Sequence, residues 1–166
     1  MLGDPHGAIC YHEQALPIRR EVGDRRGEAT TLNNLGLVYD GLGDRQRALT
    51  YYGQALAILR EVGDRRGEAV TLNNLGHVYD GLGDRQRALA CFEEALAIQW
   101  EVGDRANEAV TRYNIALIYR ADGRLADAVS ELEQVVDLDR LVEHPDLDAH
   151  TAMLATLRAE LAAARG

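Results

Sequence analysis

The feature that most constrains this sequence is a segment that recurs at a fixed interval. The segment EVGDRRGEA begins at Glu21 and again at Glu61, and the related EVGDRANEA begins at Glu101. Residues 21–60 and 61–100 are identical at 31 of their 40 positions, and the third copy is more divergent. A fixed period of this size indicates a solenoid, in which each unit buries one face against its neighbours.

Each repeat contains two segments that are predicted to be helices, with glycine and aspartate between them. Gly23 is expected to end one helix, and Asp24 is expected to cap the next, with equivalents in the later copies. The segment GLGD divides the repeat again, so that Asp44 caps the second helix of the pair. In the third copy Arg124 replaces that aspartate, which predicts a weaker helix start.

The two ends of the sequence are predicted to hold incomplete repeats. The first residues align with the second helix of a repeat, and the last align with a first helix that has no second helix after it. The prediction is therefore one all-α domain, an α-α superhelix of about eight antiparallel helices over residues 1–166. Its parts are a half repeat at 1–22, full repeats at 24–62, 64–102 and 104–141, and a cap helix at 146–165.

Composition and charge argue against several classes of function. The formal charge of −9 at pH 7 would repel a phosphate backbone, so nucleic-acid binding is not expected. No apolar run approaches the ~20 residues of a membrane span, and Cys10 and Cys91 follow no metal or redox spacing. All 18 basic residues are arginine, which is typical of a GC-rich bacterial genome. We therefore expect a cytoplasmic bacterial protein with no membrane contact, no metal and no cofactor.

The sequence contains no recognisable set of catalytic residues. None of the five histidines has metal spacing with a cysteine or carboxylate, and the sole serine, Ser130, has no signature around it. The segment RRGE at 25–28 and 65–68 places two arginines at a helix N-terminus, where an anion could bind. The adjacent glutamates Glu28 and Glu68 favour solvated loop charge instead. The sequence thus predicts that the protein is not an enzyme.

A helical projection of residues 26–42 at 100° per residue separates two arcs of side chains. One arc is mostly apolar and is predicted to be packed, and the other holds the paired asparagines of the repeated segment TLNNLG. The packed arc contains Glu28, Ala29, Thr31, Leu32, Leu35, Gly36, Val38, Tyr39 and Leu42. The second arc contains Arg26, Gly27, Thr30, Asn33, Asn34, Leu37, Asp40 and Gly41.

The pattern within each repeat resembles the tetratricopeptide repeat, W-x2-L-G-x2-Y…A-x3-F. The second copy matches the pattern as the first does, and the third keeps Tyr119 and Ala128. The period of about 40 residues, longer than the usual ~34 residues, is similar to that of G-protein-regulating polarity scaffolds, kinesin light chains and bacterial signalling proteins. The matching residues of the first copy are Leu32, Leu35, Gly36, Tyr39, Ala48, Tyr52 and Ala55.

The resemblance implies that the first helices line a concave groove that binds extended peptides. An asparagine side chain offers both a donor and an acceptor, which matches the backbone of such a peptide. The column Asn34, Asn74 and Asn114 is predicted to hold a peptide, as its equivalents do in the resembled families. The alternative is that these amides bond to the neighbouring helix and fix the stacking of repeats. The predicted groove residues are Asn33, Asn34, Leu37, Asn73, Asn74, His77, Tyr113, Asn114, Leu117 and Arg120.

Groove positions that differ between repeats are predicted to read the sequence of the ligand. Tyr113 and Leu117 offer an apolar patch, and Arg120 beside them offers a contact for an anion. For His77 a solvent-facing side chain is favoured over a ligand role. Some family members clamp a terminal carboxylate with lysines and an arginine. Because this chain has no lysine and Val110 occupies one of those places, that clamp is absent.

The leading prediction for function is a protein–protein interaction module that binds an extended peptide or partner segment in its groove. Two alternatives are a regulatory or sensor arm of a larger bacterial transcription factor or signalling ATPase, and a self-associating structural spacer. A weak head-to-tail self-association is predicted between the helix at 4–20 and the helix at 146–165 of another chain. The second of these helices is expected to present Met153, Leu154, Leu157 and Leu161.

Overall fold

The computed structural model describes residues 4–164, which form eight helices and no β-strand. This confirms the predicted all-α fold, while residues 1–3 of the half repeat and residue 165 of the cap helix lie outside the described residues. No helix in the described range is both long and apolar enough to cross a membrane. The helices are α1 (Pro5–Glu21), α2 (Arg25–Gly41), α3 (Arg45–Glu61), α4 (Arg65–Gly81), α5 (Arg85–Val102), α6 (Arg105–Ala121), α7 (Leu125–Val142) and α8 (Leu147–Ala163).

The turns between helices recur at regular spacing, each around a residue in the left-handed conformation. Six of these residues are glycines, whose φ angles lie between 68° and 79°. Glycine adopts this conformation without the steric cost that a Cβ atom imposes. The seventh, Glu143, has a φ of 52° and is the one non-glycine residue with positive φ in the described range. The six glycines are Gly23, Gly43, Gly63, Gly83, Gly103 and Gly123.

Aspartate side chains cap the N-termini of most of the helices, as the repeated pattern predicts. The carboxylate of Asp24, for example, accepts a hydrogen bond of 2.9 Å from the backbone N–H of Gly27. Arg124, which replaces the aspartate before α7, makes no side-chain cap hydrogen bond. Its guanidinium lies 4.0 Å above the ring of Tyr119 instead. The start of α7 therefore lacks the side-chain cap of the earlier helices, and a weaker helix start stays a prediction.

The chain divides into an N-terminal unit (Met1–Cys91) and a C-terminal unit (Phe92–Gly166), with the boundary inside α5. In the N-terminal unit, α2 packs against α1 and α3, and α4 packs against α3 and also touches α2. In the C-terminal unit, α7 packs against both α6 and α8. One continuous solenoid over residues 1–166 stays a prediction.

The core of the N-terminal unit forms where a glycine of α2 faces an aromatic ring of α3. A Cβ atom added to Gly36 would lie 2.7 Å from the ring of Tyr52, which is itself buried. The predicted packed arc of α2 is buried here, except that Val38 is half-buried and Leu42 is exposed. The packed side of this helix was therefore predictable apart from these two positions.

The core of the C-terminal unit is built by α7 together with apolar side chains of α6 and α8. Leu132 and Val135 of α7 are fully buried, and Leu154 and Leu157 of α8 lie in the same cluster. The expectation that α8 presents Leu154 and Leu157 to another chain is therefore wrong, because both side chains fill the core of their own unit. Head-to-tail self-association itself stays a prediction.

Candidate functional site

The second arc of α2 is the exposed side of this helix in the N-terminal unit. Leu37 is 57% exposed although its side chain is apolar, and Asn34, three positions earlier, is half-buried. On α4, Asn74 is half-buried and His77 is exposed at the equivalent positions. On both helices, an asparagine and a larger side chain thus lie on the arc that was predicted to line the groove.

Asn33 links the two first helices of the N-terminal unit. Its Oδ1 accepts a hydrogen bond of 3.1 Å from the hydroxyl of Thr71 and one of 3.3 Å from the side-chain amide of Asn74. Both donors belong to α4, whereas Asn33 belongs to α2. This geometry favours a stacking role for Asn33. Asn74 uses one of its two N–H groups in the link and keeps the other.

The remaining two asparagines of the N-terminal unit differ in what their amides can reach. No residue in the range 4–164 forms a hydrogen bond with the side chain of Asn34. The Oδ1 atom of Asn73 is buried and has no hydrogen-bond partner within the same range. A half-buried amide at the surface can still bond to a ligand or to water, whereas a buried one cannot without rearrangement. Asn34 is therefore the best placed of the four for ligand contact.

His77 lies on the exposed arc of α4, where the negative charges of Asp40 and Asp80 act on its ring. Partial desolvation of its ring lowers its pKa, and this effect outweighs the opposite influence of Asp40 and Asp80. The imidazole is thus neutral at pH 7, because the ordinary histidine pKa is already below that value. A neutral ring can both donate and accept a hydrogen bond.

The predicted apolar patch of the C-terminal unit is partly covered by α8. The ring of Tyr113 packs on the ring of His150, with 4.6 Å between their centroids. Leu117 is exposed, and Asn114 is half-buried. The structure therefore leaves the Asn114–Leu117 pair as the more open part of this patch.

Arg120, the predicted anion contact, is already paired with a carboxylate. Its guanidinium donates to Glu160 of α8 through Nη2 at 2.5 Å and through Nε at 3.3 Å. Both side chains are partly exposed, and exposed ion pairs are worth only ~0–1 kcal/mol. An anionic ligand would have to displace Glu160 to reach Arg120.

The feature that sequence reasoning missed is the ion pairing of a buried glutamate at the start of the first helix of each repeat. Glu28, Glu68 and Glu108 are only 4%, 4% and 3% exposed. Glu28 is held by Arg20 of the preceding helix at 2.7 Å and by Arg25 at 2.6 Å. The expectation of solvated loop charge is therefore wrong for Glu28 and Glu68.

Burial and ion pairing act in opposite directions on these glutamates. Burial raises the pKa of Glu28, but hydrogen bonds from Arg20 and Arg25 outweigh burial and hold the pKa below its ordinary value. The same balance, with Arg60 and Arg65 as donors, lowers the pKa of Glu68. Both carboxylates are consequently ionised at neutral pH.

In the third repeat, an arginine at a different position forms the second ion pair with the buried glutamate. Trp100 stands where Arg20 and Arg60 stand in the earlier copies. Arg112 of α6 bonds to Glu108 instead, at 3.1 Å, and also reaches Glu131. Arg112 replaces a leucine of the repeat pattern, so the loss of one arginine and the gain of another occur together. From this paired change the ion pair between Arg112 and Glu108 could have been predicted.

Within residues 4–164, no group of three or more histidine, cysteine, aspartate or glutamate side chains is arranged to hold a metal ion. Cys10 and Cys91 are both free thiols. In the N-terminal unit the candidate site consists of amide, imidazole and apolar side chains on α2 and α4.

A model of the tetratricopeptide repeat matches residues 1–61, 46–99 and 67–141. No curated protein sequence matches the chain significantly.

Three solved structures are similar in fold. Nearly identical tetratricopeptide-like repeats of a kinesin light chain from Podosopora anserina align with a TM-score of 0.75 at 23% identity, over 92% of this chain and 77% of theirs. BtubC from P. vanneervenii gives 0.72 at 20% identity, over 93% and 74%. The apo form of RapI gives 0.84 at 20% identity, over 92% of this chain and 43% of RapI. These identities support the fold alone.

Proposed function

The chain belongs to the tetratricopeptide repeat family, and from that premise we propose that its first helices bind an extended peptide segment of a partner protein. Repeats of this family form protein–protein interaction modules and are generally non-catalytic. We accordingly assign no enzymatic role to the chain. The ligand surface is the exposed arc of the first helices.

The observation that carries this proposal is the pairing of Asn34 with Leu37 on α2. Residues three apart lie on the same side of a helix. The amide of Asn34 can donate to a peptide carbonyl and accept from a peptide N–H. Leu37, 57% exposed, can then cover an apolar side chain of the same peptide. Asn34 thus supplies affinity for a peptide backbone of any sequence, and Leu37 adds a preference for apolar side chains.

The same pair of positions recurs on the other first helices. On α4 it is Asn74 with His77, and on α6 it is Asn114 with Leu117. Asn74 keeps one free N–H after its bond to Asn33. A peptide that runs across α2 and α4 would therefore meet an amide on each helix, followed by leucine on one and a neutral imidazole on the other.

The proposal is tested by selecting peptides from a random displayed library on the wild-type protein. Enriched peptides are synthesised, and their dissociation constants are measured by calorimetry for wild type and for Asn34→Ala. Loss of one or two hydrogen bonds to the peptide backbone should weaken binding about 5- to 30-fold.

A matched control is available on a second helix of the same unit. Gln54 of α3 is an exposed amide outside the arc, so Gln54→Ala should leave the dissociation constant unchanged. The proposal is contradicted if the selected peptides bind wild type, Asn34→Ala and Gln54→Ala with the same affinity.

A further inference from the structure

An ionic cluster lies at the start of α2 in the N-terminal unit. Arg25 of α2 donates from Nη1 to Glu28 at 2.6 Å and from Nη2 to Glu61 of α3 at 2.5 Å. Arg20 of α1 donates to the other oxygen of Glu28 at 2.7 Å. One arginine thus holds two carboxylates, of which one is buried and the other, that of Glu61, is exposed.

The C-terminal unit builds the equivalent corner from different residues. Trp100 of α5 and Leu141 of α7 stand at the positions where the N-terminal unit has the first arginine and the exposed glutamate. Arg105 of α6 is retained, and its Nη1 donates to Glu108 at 2.6 Å. Two charged positions of the corner have therefore become apolar, while its central arginine and its buried glutamate remain.

The backbone of the adjacent turns shows that these positions are equivalent in space as well as in sequence. Before α6, the N–H of Gly103 bonds to the carbonyl of Trp100 at 3.3 Å, and the corresponding bond before α2 measures 3.2 Å. After α7, the N–H of His144 bonds to the carbonyl of Asp139 at 2.9 Å, as long as the corresponding bond after α3. Trp100 and Leu141 therefore begin from the same backbone positions as the two charged residues that they replace.

The replacement leaves Arg105 with donors that no described residue uses. Within residues 4–164, its guanidinium forms no hydrogen bond and no ion pair besides the one with Glu108. The side chain of Arg105 is 44% exposed, so a ligand can reach it. An arginine presents five N–H groups in a planar fork that matches a carboxylate. The Nη2 group, which binds a glutamate in the N-terminal unit, is available here to an acceptor from another molecule.

The two apolar side chains of this corner are fully open to solvent contact. Trp100 is 67% exposed and Leu141 is 76% exposed, the two highest values among the large apolar side chains described in the C-terminal unit. Single exposed apolar residues are common on protein surfaces and need no special explanation. These two differ, because they replace charged members of one ionic cluster and lie on either side of the arginine that remains.

We propose that Trp100, Arg105 and Leu141 form a second docking surface, which binds a partner segment that carries an acidic side chain next to bulky apolar ones. The carboxylate of the partner takes the place that the exposed glutamate holds in the N-terminal unit and pairs with Nη2 of Arg105. The apolar neighbours of that carboxylate cover the indole ring and the leucine. Tryptophan and arginine are the side chains that most often dominate the binding energy of an interface.

Charge complementarity selects this partner over two others. A basic segment would bring a second positive charge towards Arg105, and like charges at an interface disfavour binding. A wholly apolar segment would cover the guanidinium without an acceptor, and a desolvated charge without a partner is costly. The corner shares no residue with the predicted groove. It therefore goes beyond the proposed function, and either surface can fail a test without the other.

The fluorescence of Trp100 reports directly on this surface, because the chain has one tryptophan. Two displayed libraries of short peptides without tryptophan are selected on the wild-type protein, one with a fixed Leu-Glu-Phe centre and one with Leu-Gln-Phe. The glutamate library should yield the enriched peptides. Addition of an enriched peptide should shift the Trp100 emission to shorter wavelength, because the peptide displaces water from the indole. Glutamine in place of its glutamate should weaken binding about 10-fold.

Substitutions that restore the residues of the N-terminal corner provide the matched variants. Leu141→Glu supplies the missing carboxylate from within the chain and keeps the fluorescent reporter, and it should weaken peptide binding about 10-fold. The double variant Trp100→Arg with Leu141→Glu should abolish binding in calorimetry. Tyr11→Arg removes an equally exposed aromatic ring of α1 and should keep the wild-type affinity. Asn34→Ala should keep it as well, which separates this surface from the groove.

Three results would overturn the proposal. The first is that no peptide of either library shifts the Trp100 emission at millimolar concentration. The second is that glutamine peptides bind as tightly as glutamate peptides, and the third is that Leu141→Glu binds them as tightly as wild type. An emission that shifts with the concentration of the protein alone would assign the corner to a second copy of the chain and would also overturn the proposal.

Discussion

The side-chain amide of Asn74 on α4 donates a hydrogen bond of 3.3 Å to Oδ1 of Asn33 on α2. The two adjacent asparagines of the first repeat therefore have different environments. Asn33 joins neighbouring first helices, whereas Asn34 is half-buried on the exposed arc of α2. An asparagine costs a helix ~0.7 kcal/mol relative to alanine. The link between repeats offsets that cost for Asn33, and we attribute the cost of Asn34 to ligand binding.

Alanine substitutions should separate these two roles by the sign of their effect on stability. Asn33→Ala removes two hydrogen bonds and should lower the free energy of unfolding by ~1–2 kcal/mol. Asn34→Ala removes none and should raise it by up to ~0.7 kcal/mol, since alanine is the better helix former. Urea denaturation measures both. Equal stability of the two variants would mean that the hydrogen bonds between α2 and α4 contribute nothing to the free energy of unfolding.

Two glycines of the N-terminal unit should respond oppositely to the same substitution. A Cβ atom at Gly36 would lie 2.7 Å from the Tyr52 ring, so Gly36→Ala should cost ~1–3 kcal/mol through overpacking. Gly53 of α3 has open space around it, so Gly53→Ala should stabilise by up to ~1 kcal/mol. Thermal unfolding of both variants provides the comparison. A stabilised Gly36→Ala variant would show that the two helices are not in close contact there.

The buried glutamates predict how stability changes in acid. Because the pKa of Glu68 is below its ordinary 4.5 in the folded chain, its contribution is complete above that value and is lost as pH falls through the lowered pKa. Glu68→Gln should cost ~1–3 kcal/mol at pH 7, where a charged partner is lost. The difference from wild type should shrink as the pH falls below 4.5 and through the lowered pKa. A difference that stays constant between pH 7 and pH 3 would argue against the ionised pair.

The sequence predicts features that depend on residues close to one another in the chain, and it does not predict contacts between different helices. The helices follow from glycine and aspartate at fixed spacing, and the packed side of α2 follows from its apolar periodicity. The ion pair of Glu28 was missed because its partner Arg20 lies across a turn, in another helix. The different roles of Asn33 and Asn34 could not be predicted, because they depend on contacts with the neighbouring repeat.

The turn positions allow a matched pair of backbone substitutions. Glu143 adopts the left-handed conformation that glycine adopts at the six earlier turns, with a φ of 52°. Glu143→Gly should relieve strain and stabilise the chain by up to ~1 kcal/mol, because a residue with a Cβ pays ~1–2 kcal/mol in this conformation. Gly63→Ala, at a φ of 68°, should be destabilising by a similar amount. Chemical denaturation of both variants checks the pair, and a destabilised Glu143→Gly would contradict the strain argument.

The central claim, that Asn34 contacts a bound peptide, is tested most directly by nuclear magnetic resonance. A selected peptide is titrated into the nitrogen-15-labelled protein, and the side-chain amide signals of Asn34 and Gln54 are followed. The account predicts that the Asn34 signal shifts and saturates at the dissociation constant measured by calorimetry, while the Gln54 signal stays in place. A peptide that binds and shifts Gln54, but leaves Asn34 unmoved, would contradict it.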